Sequence, residues 1–298
     1  MQAEARRCLT PDGRTVSYTE WGDPAGMPVI YCHGFPGSRL EAKLADAPAS
    51  SLGIRLIAPD RPGFGASDFL PDRRIADWPR DLAALADSLD IARFHVIGVS
   101  GGAPYALATA QQLHDRVAGV ALACGLGEFV GDDPTSGMNT TAAMAIDFRR
   151  HWPQLGHWAY THVIGPTLRR FPDSIFQILV GHAPDADREV LADSAVRDAL
   201  VASYAEAFRQ GSDGPAHELG LITSPWEIDP TRIQHRVQLW HGEADETVPI
   251  SMARRHADIL PHVATRFLPD EGHFSLIVRY MQPILAMLTD PAETGALR

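Results

Sequence analysis

The chain has 298 residues, of which 45% are hydrophobic and 21% charged, enough apolar material for a sizeable core. With 26 Lys and Arg against 37 Asp and Glu, the formal net charge is −11, which argues against nucleic acid and anionic membrane surfaces as partners. No apolar run approaches the roughly 18 residues that span a bilayer, and Met1 to Arg7 carry charges with no apolar stretch behind them.

The predicted elements follow in order. A turn at Pro11-Asp12-Gly13-Arg14 marks an opening hairpin that ends near Tyr18 to Trp21. A strand over 29–32 runs into the Gly-rich segment His33-Gly34-Phe35-Pro36-Gly37-Ser38. Then come a helix over 41–52, a strand over 54–58, a helix over 77–89 and a strand over 94–97. Residues 98–102 read Gly-Val-Ser-Gly-Gly, and a helix over 103–113 and a strand over 117–123 follow. Strands return at 237–240 and 264–268. Strands alternating with helices predict an α/β fold with a mostly parallel central sheet and helices on both faces, the opening hairpin supplying the antiparallel edge.

The Gly-x-Ser-x-Gly run gains weight from its place between a strand and a helix. A serine on such a sharp turn takes a strained backbone and projects its hydroxyl from the sheet edge, which makes Ser100 a candidate nucleophile. Its bland alternative is a helix N-cap. A nucleophilic serine needs a base and the base an orienting acid. Asp245 lies beyond the 237–240 strand, and His273 lies beyond the 264–268 strand. In a parallel sheet those loops gather on one edge, and the order Ser, Asp, His fits one known architecture. Glu243, Asp270 and Glu128 compete for the role of acid. The loop after the 29–32 strand can aim an N–H at a developing oxyanion. The named donors are Phe35 and Gly101, since Pro36 has no N–H.

Five ordered blocks carry a resemblance. They are His33-Gly34-Phe35-Pro36-Gly37-Ser38, Asp60-Arg61-Pro62-Gly63-Phe64-Gly65-Ala66-Ser67, Gly98-Val99-Ser100-Gly101-Gly102, Trp240-His241-Gly242-Glu243-Ala244-Asp245 and Gly272-His273-Phe274. On these the chain resembles the α/β-hydrolase fold superfamily, in its serine-esterase and epoxide-hydrolase-like group. The resemblance implies a core of residues 1–125 and 231–298, with a helical lid inserted at 126–230 where substrate choice resides. It places the acid at Asp245, and it makes Asp60 and Arg61 a buried ion pair or loop anchor. Relatives that open epoxides use a carboxylate where this chain has Ser100, so epoxide opening is not expected.

Residues 126–230 carry His151, Trp152, His157, Trp158, His162, Phe171, Phe176 and Trp226, read as an aromatic inner face over the site. For any one of these aromatics, packing of the lid onto the core competes with that role. Phe35, Phe274 and Trp158 are the candidate substrate-binding residues. The spacings of His151, His157 and His162 do not put three ligands on one helical face, so no metal is expected. His33 and His241, each before a glycine in a tight turn, are expected to support their loops through backbone hydrogen bonds. Cys8, Cys32 and Cys124 show no paired spacing and are expected as buried free thiols in a reduced, cytoplasmic protein.

The expected activity is hydrolysis of a carboxylic ester or lactone of a small to medium, mostly apolar compound, through an acyl-enzyme and without a cofactor. The alternatives are the same triad acting on a C–C, amide or N-terminal proline bond, and a ligand sensor with little turnover. Gly34-Phe35-Pro36 in place of Gly-Gly-Pro weakens the proline option. Sequence leaves the oligomeric state open.

Overall fold

A computed structural model describes residues 4–290 and residue 292. Eight strands form one sheet: β1 (Arg6–Leu9), β2 (Thr15–Gly22), β3 (Met27–Cys32), β4 (Ile54–Pro59), β5 (Phe94–Val99), β6 (Val117–Ala123), β7 (Val237–Gly242) and β8 (Val263–Leu268). Their order is β1-β2-β4-β3-β5-β6-β7-β8. β2 is antiparallel to both β1 and β4, and every pairing from β4 through β8 is parallel. The fold class is therefore the one expected from the alternation of strands and helices.

Parallel strands covered on both faces read as continuous apolar runs, and β5 is buried along its whole length. The period of two divides the core. Ile30, Cys32, Ile57, Val96, Val120 and Leu122 face one side, with Leu82 and Leu85 of the helix Trp78–Ser88 and Tyr105 of the helix Ala103–Gln112. Val29, Tyr31, Leu56, Ile97, Val99 and Ala121 face the other, against Ala49 and against Leu276, Met281 and Leu285 of the helix His273–Thr289.

Two local expectations are corrected, and a third, for Asp60 and Arg61, resolves to its loop-anchor alternative, since Arg61 donates to the His33 and Gly34 carbonyls. The single helix over 41–52 is a 3-10 segment Arg39–Ala45 followed by a separate short α-helix Asp46–Ser51. Pro48 has no N–H and fits only the first turn of a fresh helix. Asp60 and Arg61 are both fully buried but do not pair with each other. Asp60 binds Arg39 at 2.6 Å, and Arg61 Nε lies 2.7 Å from Glu218 Oε1. His273 opens a helix rather than lying on a free loop.

Between β6 and β7 the described chain is helical, with segments that include Thr140–His151, Pro153–Ala159, Pro172–Gly181, Asp185–Leu191, Ser194–Ala207 and Asp213–Ile222. Buried polar contacts fasten these helices to the sheet body. The Ser38 N–H donates to Ser203 Oγ at 2.9 Å, and Glu218 meets both Arg61 and Arg73. Among the described residues no helix is long and apolar enough to cross a membrane.

Candidate active site

Strand register gathers the pieces. Cys32 pairs with Gly98, Val99 with Ala123, and Ala123 with Trp240, so the chain leaves β3, β5, β6 and β7 at one edge. Ser100 follows β5 and starts a 3-10 turn into the helix Ala103–Gln112. Its φ is +52°, a left-handed conformation that costs a non-glycine residue energy and that the tight turn imposes. The flanking glycines are sterically required. A Cβ on Gly102 would stand 2.0 Å from Cys32 O, and one on Gly98 would stand 2.8 Å from Ala103 Cα.

His273 Nδ1 and Asp245 Oδ2 are 2.7 Å apart, with both side chains buried. Asp245 is held in turn by the Thr247 and Val248 N–H groups, which donate to its Oδ1 at 2.8 and 2.7 Å. Burial works to raise the Asp245 carboxyl, but His273 outweighs it and keeps the group below its ordinary range. Burial opposes charge on His273, yet Asp245, with Asp187 and Glu41 behind it, raises the imidazole above its usual value. With Nδ1 committed to Asp245, Nε2 is the ring nitrogen left for a proton transfer.

The rival acids are engaged elsewhere. Glu243 faces Arg254 at 3.4 Å, Glu128 accepts the Trp226 N–H at 2.8 Å, and Asp270 is exposed. His33 and His241 each bind a backbone carbonyl, Gly34 O at 2.9 Å and Val248 O at 2.7 Å. Both therefore support loops beside the site. The Gly34 N–H is taken by Glu41. Phe35 and Gly101 lie against each other, since a Cβ on Gly101 would come 3.1 Å from Phe35 N.

Ser100, His273, Phe35 and Phe274 line one small cavity of ≈ 60 Å³. Its remaining walls are mostly apolar, with Leu44, Val99, Ile277 and Val278 from the sheet body and Leu179, Leu200 and Tyr204 from the helical insertion. A larger surface cleft of ≈ 610 Å³, lined by Asp133, Arg149 and Thr223 among others, includes neither Ser100 nor His273. Size alone therefore points away from the chemistry.

Trp158 does not line the cavity, which corrects its assignment to substrate binding. It is 53% exposed and its ring meets His162 at 5.6 Å. The helix Pro153–Ala159 turns Gly156 inward, and two residues on, about 200° round the axis, the side chain faces solvent. Trp152 and Phe171 are exposed as well, whereas Phe176 and Trp226 are core residues. The aromatic inner face is thus largely absent, and leucines with Tyr204 provide the roof. Among the described residues the three insertion histidines form no ligand cluster. Cys124, Asp245 and His273 do come within 4.8 Å. Burial pushes the Cys124 thiol well up, and its Sγ donates to His273 O at 3.4 Å. Cys8, Cys32 and Cys124 are all buried and free.

Sequence reasoning missed two carboxylates. Asp187, in the insertion, accepts the N–H groups of His273, Phe274 and Ser275 at 2.9, 2.9 and 2.8 Å. It caps the helix that begins with His273, where orphan donors and the helix dipole favour an anion. Glu41 accepts the Tyr31 O–H at 2.9 Å and the Gly34 N–H at 3.0 Å, and it lines the cavity. Neither lies in a recognisable motif: Glu41 stands between Leu40 and Ala42, and Asp187 sits among Asp185, Arg188 and Glu189 as any solvated helix acid would.

The family model described as alpha/beta hydrolase fold matches residues 27–280. The chain belongs to that family. It is similar to several named relatives. It is 35% identical over 265 residues to the dihydrolipoyllysine-residue acetyltransferase component of the acetoin cleaving system of Pseudomonas putida. That alignment covers 88% of this chain but 62% of the relative, so the chain spans less than two thirds of that protein's length. It is 25% identical over 255 residues to 2-hydroxymuconate semialdehyde hydrolase of Pseudomonas putida, covering 85% of this chain and 82% of the relative. A thermophilic esterase from Thermogutta terrifontis superposes with a TM-score of 0.69 at 21% identity, over 96% of this chain and 97% of the other.

Proposed function

We propose that this α/β hydrolase is a serine carboxylic-ester hydrolase that forms an acyl-enzyme on Ser100. The observation that carries the reading is the 2.7 Å His273–Asp245 bond opening onto the same cavity as a serine held at φ +52°. His273 takes the Ser100 proton as Oγ attacks the ester carbonyl carbon, and Asp245 fixes the tautomer and stabilises the imidazolium. The Phe35 and Gly101 N–H groups receive the oxyanion. Collapse breaks the C–O bond and His273 protonates the departing alcohol. Water, deprotonated by His273, then releases the acid and restores Ser100. Residues 126–230 act as the lid, and Phe35 and Phe274 contact substrate. A cavity of ≈ 60 Å³ accommodates an acyl chain of roughly four heavy atoms, at about 10–15 Å³ for each water-sized group.

The test is pre-steady-state hydrolysis of p-nitrophenyl acetate, butyrate and decanoate by the wild type and by Ser100→Ala. A burst with turnover, best on the short esters and lost in the variant, is the expected outcome. Turnover that survives in Ser100→Ala, or no burst from a folded wild type, overturns the reading and moves attention to C–C and amide bonds.

A further inference from the structure

The cavity beside Ser100 is mostly apolar, and besides Ser100, His273 and Thr247 two further polar side chains, Glu41 and Tyr204, line it. Glu41 is 8% exposed and Tyr204 4%. Glu41 comes from the 3-10 segment after β3, and Tyr204 from the insertion helix Ser194–Ala207. A Cβ on Gly34 would lie 3.1 Å from Glu41 Oε2 and 3.4 Å from Ser100 Cβ, so carboxylate and serine flank the same glycine. The protein donors to Glu41 are the Tyr31 O–H and the Gly34 N–H, both on Oε1, with Gly34 N also 3.2 Å from Oε2. A carboxylate offers about four acceptor positions, so Glu41 retains room for a donor from the cavity. The Tyr204 hydroxyl has no hydrogen-bond partner among the described residues, although its side chain is buried and lines the cavity. A phenol with no protein partner and a carboxylate with a free acceptor position, both on the wall of a mostly apolar cavity, favour a ligand group that pairs with them.

We propose that Glu41 and Tyr204 form a polar subsite that reads a hydroxyl on the acyl group, making short hydroxyacyl esters the preferred substrates. This rests on the ester-hydrolase reading and deepens it. A hydroxyl donates to Glu41 while accepting from the Tyr204 O–H, and so satisfies both groups with one atom. An ammonium only donates. It leaves the Tyr204 proton without an acceptor and sets a positive charge beside the imidazole that must itself become positive. Burial, reinforced by Glu41, pushes the Tyr204 phenol up, so it remains an O–H donor throughout the working range. A plain alkyl acyl chain fills the same space but offers the Tyr204 O–H no acceptor and Glu41 no further donor, a deficit that selects against it.

Two measurements decide the matter. The first compares kcat/KM for ethyl butanoate, ethyl 2-hydroxybutanoate, ethyl 3-hydroxybutanoate and ethyl 3-aminobutanoate in wild type, Tyr204→Phe and Glu41→Gln. The better hydroxy ester should exceed ethyl butanoate by about 10- to 100-fold in wild type, the range for a hydrogen bond to a charged group. The ratio should fall toward one in Tyr204→Phe. Glu41 also holds the Gly34 loop, so if Glu41→Gln does not fold, the Tyr204→Phe ratio carries the test. Equal kcat/KM for plain and hydroxy esters in wild type overturns the subsite while leaving the esterase reading intact. A preference for the amino ester overturns the hydroxyl assignment. The second measurement is calorimetric binding of the same ethyl esters to Ser100→Ala, which needs no turnover. Tighter binding of a hydroxy ester, lost on adding Tyr204→Phe, supports the subsite even if no ester is hydrolysed. Equal binding of all four sinks it.

Discussion

The sheet and the helical insertion share apolar packing but differ in how far they rely on buried charge. The sheet buries apolar side chains on both faces, in two clusters sorted by the alternation along each strand. The insertion's apolar residues, Leu200, Phe208 and Trp226 among them, join the cluster on one sheet face, and buried charge fastens it there as well. Glu218 lies between Arg61 and Arg73, and Arg39 lies between Asp60 and Glu206, at 2.6 Å from each. Burial alone would raise the Glu218 carboxyl, and the two arginines reverse that and hold it below its ordinary value. Paired buried charges add little net stability over apolar packing, but breaking one side of such a pair is costly. Damage to the sheet is therefore graded by the volume removed, whereas the insertion adds a few charged contacts whose one-sided loss is costly.

The comparison implies that chemistry belongs to the sheet edge, attachment to the charged fastenings, and little to the outer surface of the insertion. The largest expected effect is on turnover. Asp245→Asn should lower kcat about 10⁴-fold in steady-state assays while leaving the folded content unchanged, because the imidazole loses its tautomer rather than its place. Next, Glu218→Gln leaves Arg61 and Arg73 facing a neutral amide. It should cost about 3–5 kcal/mol by denaturant titration. A loss below about 1 kcal/mol would mean that apolar contacts, rather than charge, hold the insertion down.

Asp187 tests the link between the regions. Asp187→Ala should cost about 1–2 kcal/mol as a lost helix cap and depress kcat more than it raises KM. Asp187→Asn keeps an acceptor but removes the charge that helps raise the His273 imidazole. The acidic limb of its kcat/KM profile should move to lower pH, whereas a purely structural role leaves the limb in place.

Acid should weaken the sheet body by a different route. Burial holds His95 and His256 at about 4, down from an ordinary 6.5. Between those values the unfolded chain binds more protons than the folded one, so stability is full above pH 6.5 and is lost as pH falls toward 4. His256→Gln should flatten that slope in denaturant titrations by about one proton. The His273–Asp245 pair brackets the same range. The raised His273 contributes below its ordinary 6.5 and fades as pH climbs through its folded value, and the lowered Asp245 contributes above 3.8 and fades on acidification. The smallest effect belongs to Trp158→Ala. On the exposed outer face it should change stability by less than about 0.5 kcal/mol and leave kcat/KM on short esters within about twofold; a larger loss would return Trp158 to the substrate path.

What the sequence made legible follows the same division. Strands such as Val117–Ala123 announce themselves as unbroken apolar runs; Ser100 follows a strand directly and Asp245 and His273 lie just beyond strand ends, so their positions follow from topology. Glu41 and Asp187 do not. Asp187 reaches its three N–H partners across 86 to 88 residues, and Arg39 meets Glu206 across 167. No local period encodes a partner at that distance. Trp158 misled for a related reason, because a tryptophan in an insertion carries no mark of which way its helix face turns. Only Gly156, two residues before it, settles that direction, and it does so through packing on Arg149.

The cap that Asp187 places on the His273 helix works as an interlock. A chain whose sheet has formed but whose middle segment has come away would look folded by most optical measures and yet hold its imidazole on a frayed helix end. Such a form would be silent toward esters, so a half-assembled molecule cannot act indiscriminately on its surroundings. Activity would be the last property to appear on refolding and the first to vanish on gentle heating, ahead of any loss of sheet signal.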